Sequence, residues 1–264
     1  MRETRIPDPA GKDLVRQPRN PGRSLIRLSI VVYGSVILVT ALAVWAWHWL
    51  QPPPQIPGMV YIPAGMFLAG SDKHSVKLHA FYIDATEVSN AEYSDFCEAT
   101  GCTLPEGARN LPVVNVTIEQ ARAYARWSHK RLPTALEWER AARGTSGALF
   151  PWGDAEDPSR ANVSNNSTLA QHALMPVRSF GEYPAFQMIG NAWEMVEGEI
   201  TPSANSLRTF PRLRPPSASG ERWFAIRGGS YQTPLTQALV WEFDSIPASY
   251  AASDIGFRCA KDPQ

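Results

Sequence analysis

Three helix starts written in the same code constrain this chain more than any other feature. Ser89-Asn90-Ala91-Glu92, Thr117-Ile118-Glu119-Gln120 and Thr134-Ala135-Leu136-Glu137 each place a hydroxyl residue three positions before a Glu or Gln. In such a capping box the hydroxyl accepts from a free amide of the first turn, and the Glu or Gln reaches back to the capping residue's own amide. The first helix carries Tyr93, Phe96 and Cys97 on one face and meets a stop signal at Gly101. The second leads into Ala121, Tyr124, Ala125 and Ser128, and the third ends at Gly144. Met59 to Ala69 and Val76 to Ile83 read as short strands ahead of them. After Gly144 the pattern becomes turns with short apolar runs such as Trp223–Arg227. Twenty-three prolines and eighteen glycines argue for a loop-rich domain over a helical bundle. No internal repeat is visible, and about 200 residues suffice for one core.

The N-terminus is of another kind. Residues 1–27 carry seven Lys or Arg against Glu3, Asp8 and Asp13, and residues 28–57 carry no charge. Leu28–Trp47 is an apolar run whose length as a helix is about 30 Å, the hydrocarbon thickness of a bilayer. Trp45, Trp47 and Trp49 stand at its far end, where an interfacial belt belongs. A cleaved signal peptide is the alternative, but its apolar core is usually about 7–15 residues and ends in small side chains. The pattern predicts a cytoplasmic basic segment (1–27), a transmembrane helix (28–50), a Pro-rich linker (51–57) and an extracytoplasmic domain (58–264) on a single-pass protein. Beyond residue 27 the chain holds 18 basic and 22 acidic residues, which gives no footprint for nucleic acid.

Several motifs occur in a fixed order: Asp84-Ala85-Thr86-Glu87-Val88-Ser89-Asn90, Pro112-Val113-Val114-Asn115-Val116-Thr117, Lys130-Arg131-Leu132-Pro133-Thr134 and Phe150-Pro151-Trp152-Gly153-Asp154. Gly190-Asn191-Ala192-Trp193-Glu194, Arg227-Gly228-Gly229-Ser230-Tyr231 and Gly256-Phe257-Arg258-Cys259-Ala260 follow. Over residues 58–262 this set resembles the formylglycine-generating enzyme (sulfatase-modifying factor) family. The resemblance implies an α+β, C-type-lectin-like fold, loop-rich and here preceded by one transmembrane helix. Catalytic members carry two copper-binding cysteines just after the Gly-Gly-Ser-Tyr turn, and the matching positions here are Thr233 and Ala238. A hydroxyl is a poor ligand for a soft metal and a methyl is none. No copper is therefore expected, and the enzyme assignment fails for formylglycine formation.

The resemblance also implies a calcium site at Gln187, Gly190, Ala192 and Glu194. Calcium takes six to eight hard oxygens, and only one carboxylate is evident here. The alternative is that Glu194 is simply hydrogen-bonded in its turn. The family's other calcium site would begin at Asn162-Val163, but no matching acidic residue follows it. The family groove corresponds to Trp193, Ser230 and Tyr231, with Trp241 further along. Aromatics and hydroxyls there can bind a protein, peptide or glycan without reacting with it. Arg227 and Arg258 read as buried arginines paired with carboxylates. Cys97 and Cys102 lie five apart across a helix end, and in an oxidising compartment they can form a disulfide if their Cα atoms come within about 7 Å. Cys259 reads as a buried free thiol. The scattered histidines show no metal spacing, and residues 201–222 read as a solvated loop. Three sequons begin at Asn115, Asn162 and Asn166. The leading functional reading is a membrane-anchored pseudoenzyme domain that binds a ligand. The alternative is an oxidative tailoring enzyme of the same family acting without the cysteine pair.

Overall fold

The computed structural model describes residues 38–43, 45, 53–181, 185–202, 204–210 and 220–263. The basic segment 1–27 and most of the expected membrane helix lie outside these residues. Residues 38–43 are helical. No helix among the described residues is long and apolar enough to cross a membrane.

All three boxes form helices: α1 (Asn90–Thr100), α2 (Ile118–Trp127) and α3 (Ala135–Arg143). In each the capping hydroxyl accepts from the third helical amide while the Glu or Gln accepts from the capping residue's amide, at 2.8 Å in every case. Gly101 ends α1 in the left-handed region. One face of α1 and one of α2 meet: Tyr93 stacks on Tyr124 at 5.7 Å, and both meet Phe257 edge-on. A short fourth helix, α4 (Ala204–Thr209), lies where the solvated loop was expected. It is followed by Phe210, which is buried edge-on against Trp223 and Tyr250.

The strands form three small sheets. β1 (Met59–Ile62) pairs antiparallel with β4 (Phe81–Asp84), and β4 with β9 (Ala260–Lys261). β2 (Gly65–Ala69) and β3 (His74–Leu78) make a hairpin. The third sheet runs in the order β7 (Phe243–Pro247), β6 (Trp223–Arg227), β5 (Trp193–Glu199) and β8 (Ile255–Gly256), with β5 and β8 parallel. β6 is buried throughout, which explains its unbroken apolar run. β5 carries Glu194 and Arg227 is its register partner on β6, so the last-third motifs meet in one sheet. The result is α+β with much irregular chain.

Candidate functional site

At the centre of the domain Glu194 is clamped from two sides. Its carboxylate accepts from Arg258 Nε at 2.6 Å and Arg258 Nη2 at 2.7 Å, and from Trp138 Nε1 at 2.6 Å. All three residues are fully buried. Arg258 also donates to the carbonyls of Asp84 and Phe186, so one guanidinium ties β5, the end of β4 and the segment before Gly190 together. A planar fork of this kind suits a carboxylate in two-point contact, which a single ammonium cannot reproduce.

Glu194 is the carboxylate of the expected calcium site. Its Oε2 accepts two hydrogen bonds and its Oε1 one. Among the described residues no group of three or more His, Cys, Asp or Glu could hold a metal. Glu194 is hydrogen-bonded in this structure; calcium at Gln187, Gly190, Ala192 and Glu194 is a proposal that chelation tests. Gln187 behaves differently: it is buried at φ +51°, and neither polar atom of its amide has a partner.

A second buried carboxylate escaped the sequence reading. Glu87 accepts from Asn191 Nδ2 at 2.9 Å through one oxygen, and its other oxygen has no partner. Burial, and then the nearby Glu194 carboxylate, pushes Glu87 up to about 8. Asn191 is the hub of this layer: its amide also contacts Met175 and Asn162. Gly190 is required beside it, because a Cβ there would lie 2.3 Å from the carbonyl oxygen of Asn162. The Asp-x-x-Glu spacing that ends β4 was the available signal for Glu87, but nothing in it showed burial.

The turn after β6 carries the residues expected in the family groove. Gly228 and Gly229 both have positive φ, and Ser230 is buried. Ser230 Oγ donates to Asp254 at 2.8 Å, while Asp254's carbonyl accepts from the Trp193 amide at 2.8 Å. Asp254, which sequence reasoning missed, therefore links Ser230 to Trp193. Tyr231 is anchored by its amide to the Asn191 carbonyl. A Cβ built on Gly229 would meet Ala238 Cβ at 2.8 Å and Thr233 Cβ at 3.3 Å. The two positions that carry thiols in catalytic relatives therefore converge on one glycine. Thr233 Oγ1 is held there by the Ser230 amide at 3.1 Å, and Ala238 is buried.

Trp241 belongs with a different group. Its ring packs on the Arg143 guanidinium at 5.6 Å, and its carbonyl accepts from Arg227 Nη1 at 2.7 Å. Arg143 and Arg227 both pair with buried Glu139, at 2.7 and 3.5 Å. Arg227 and Arg258 are thus buried arginines facing carboxylates. Cys97 and Cys102 are joined by a disulfide. Cys259 is free and buried, and burial followed by the Asp84 carboxylate pushes its thiol well up, away from a nucleophile. Asn162 and Asn166 are wholly buried and hydrogen-bonded, which removes both as glycosylation acceptors.

The family model for the sulfatase-modifying factor enzyme 1-like domain matches residues 49–263. The chain belongs to this family. The sulfatase-modifying factor chain is 28% identical over 296 aligned residues to the formylglycine-generating enzyme of Bos taurus, which covers 80% of this chain and 78% of that one. To the inactive C-alpha-formylglycine-generating enzyme 2 of Mus musculus it is 27% identical over 278 residues, with 78% and 86% covered. Among solved structures, PvdO from Pseudomonas aeruginosa superposes with a TM-score of 0.62 at 21% identity, over 80% of this chain and 99% of that one. Treponema denticola variable protein 1 superposes at 0.58 and 22% identity, over 81% and 99%. At these identities the structures establish the fold alone: the α+β, C-type-lectin-like fold of the sulfatase-modifying factor family.

Proposed function

We propose that this sulfatase-modifying factor domain is a ligand-binding pseudoenzyme, held at a membrane with its domain on the extracytoplasmic side. The observation that carries the reading is the pair Thr233 and Ala238 converging on Gly229. Copper(I) oxidation of a cysteine needs thiolate ligands at one point, and this point offers a hydrogen-bonded hydroxyl and a methyl. The likeness to a relative named as inactive supports the same reading. Trp193 and Tyr231, both half-buried, would then form a recognition surface for a protein, peptide or glycan, with buried Ser230 beneath them and Asp254 and Asn191 positioning them. Incubation with a sulfatase-type cysteine peptide, oxygen and copper is expected to leave the peptide mass unchanged. Conversion of its thiol to an aldehyde above a control without protein would instead favour a tailoring oxidase.

The membrane placement rests on the uncharged Leu28–Trp47 run with its basic leader. Protease added to intact spheroplasts is expected to degrade the domain. Degradation only after lysis would put the domain in the cytoplasm and overturn this part of the proposal.

A further inference from the structure

Where α1 begins, a cavity of about 360 Å3 opens, within the roughly 300–1,000 Å3 range of ligand pockets. Ala91, Pro176 and Val177 give it apolar walls, and Arg109, Asn110 and Arg178 stand around them. No Asp or Glu lines it. None of Trp193, Ser230, Tyr231, Thr233 and Ala238 lines it either, so it is separate from the groove positions.

The backbone brings the two arginines together. The Ala91 amide of α1 donates to the Arg109 carbonyl at 2.8 Å, and the Val177 amide donates to the Asn110 carbonyl at 3.0 Å. The second bond joins the residue after Arg109 to the residue before Arg178, so two segments far apart in sequence present both side chains to one cavity. Both arginines are exposed, and among the described residues neither forms an ion pair with a carboxylate. Glu92, the acid next to Ala91 in sequence, already accepts from the Ser89 amide and hydroxyl. The positive end of α1 adds charge of the same sign at this spot. Its first amides, those of Asn90, Ala91 and Glu92, are bonded within the protein, so the charged donors left for a ligand are the guanidiniums. One unpaired surface arginine is ordinary. Two that converge on a cavity without an acid set up a local potential that attracts an anion. A carboxylate fills one guanidinium fork, whereas a phosphate monoester brings three terminal oxygens and about two negative charges at neutral pH, enough for both.

We propose that this cavity binds a phosphate monoester with an apolar organic part. Its phosphoryl oxygens pair with Arg109 and Arg178, and its organic part lies against Ala91, Pro176 and Val177. The site stands whether or not the groove binds anything.

The test is a ligand-observed NMR titration of the purified full chain with phenyl phosphate. Controls are inorganic phosphate, which lacks the organic part, and phenyl sulfate, which keeps the shape with a single charge. Saturable binding of phenyl phosphate is expected, with each control weaker by about tenfold, the usual scale for one charge-assisted hydrogen bond or a small apolar contact. Arg109→Gln and Arg178→Gln should each weaken phenyl phosphate by about tenfold, and the pair together should abolish saturation. Both side chains are exposed, so the variants should keep the wild-type melting temperature. Arg160→Gln, at another exposed arginine that stacks on an aromatic ring, should leave binding unchanged. Tighter binding of dihexanoyl phosphatidate than of phenyl phosphate assigns a lipid headgroup, and the reverse assigns a free phosphate ester. The proposal is overturned by no saturation up to about 10 mM, a concentration that reports even weak sites. Equal affinity for phenyl phosphate and phenyl sulfate overturns it too, as does an equal loss in Arg160→Gln, since binding would then belong to a generally basic surface.

Discussion

Replacing Arg258 with leucine is expected to destabilise the domain by about 3–5 kcal/mol, the usual cost of stranding one member of a buried ion pair. The variant leaves the Glu194 carboxylate buried with only Trp138 Nε1 as a donor, and takes donors from the carbonyls of Asp84 and Phe186. Arg258→Lys should recover little, because an ammonium cannot make the two parallel bonds to Glu194. Urea unfolding of wild type and both variants measures this. A loss under about 1 kcal/mol for Arg258→Leu would mean that the clamp is dispensable. Chelation separates the two readings of Glu194. An unchanged wild-type melting temperature leaves it a hydrogen-bonded residue of the clamp, and a fall that Glu194→Gln removes assigns calcium to this carboxylate.

The second large effect is a pH dependence set by Glu87. Its folded value is raised from 4.5 to about 8, by burial first and the Glu194 carboxylate next, with Arg258 and Asn191 opposing. A carboxyl raised in the folded state binds more protons folded than unfolded throughout that interval. Its contribution is therefore fully present below about pH 4.5 and is lost as pH rises through about 8. At about 1.4 kcal/mol per pH unit the loss amounts to several kcal/mol. Wild type should melt at progressively lower temperature between roughly pH 5 and pH 9, while Glu87→Gln should be nearly flat over the same range. Parallel slopes for the two proteins would assign the pH dependence to other groups.

The elements that sequence alone located were those with local chemistry. Ser89, Thr117 and Thr134 announce their helices because a capping box is complete within four residues, and Gly101 stops α1 for an equally local reason. β6 was visible as an apolar run, but β5 and β7 were not. Glu194 and Glu197 interrupt β5, and their partners Arg258 and Arg122 come from distant segments. α4 was hidden for a related reason: its anchor, Phe210, faces Trp223 and Tyr250, which no local pattern links. At the site, the order of motifs located Thr233 and Ala238 but not the contact between them, which needs the fold around Gly229. The resemblance pointed to Glu194, and only the geometry showed that Arg258 and Trp138 donate to its oxygens. Asp254 carried no local signal, and the Asp-x-x-Glu spacing of Glu87 gave no sign of its burial, since each acts through a residue far away in sequence.

The central claim is that the frame of the family site is intact and only its soft ligands are gone. Thr233 and Ala238 face one point beside Gly229, so Thr233→Cys combined with Ala238→Cys should restore a two-thiolate site. The direct measurement is copper(I) titration of the wild type and the double variant under anaerobic conditions. The wild type is expected to bind no copper at this site, and the double variant to bind about one equivalent per chain through the paired thiolates. Stoichiometric copper binding by the wild type, lost on changing groove residues such as Ser230 and Tyr231, would contradict the account.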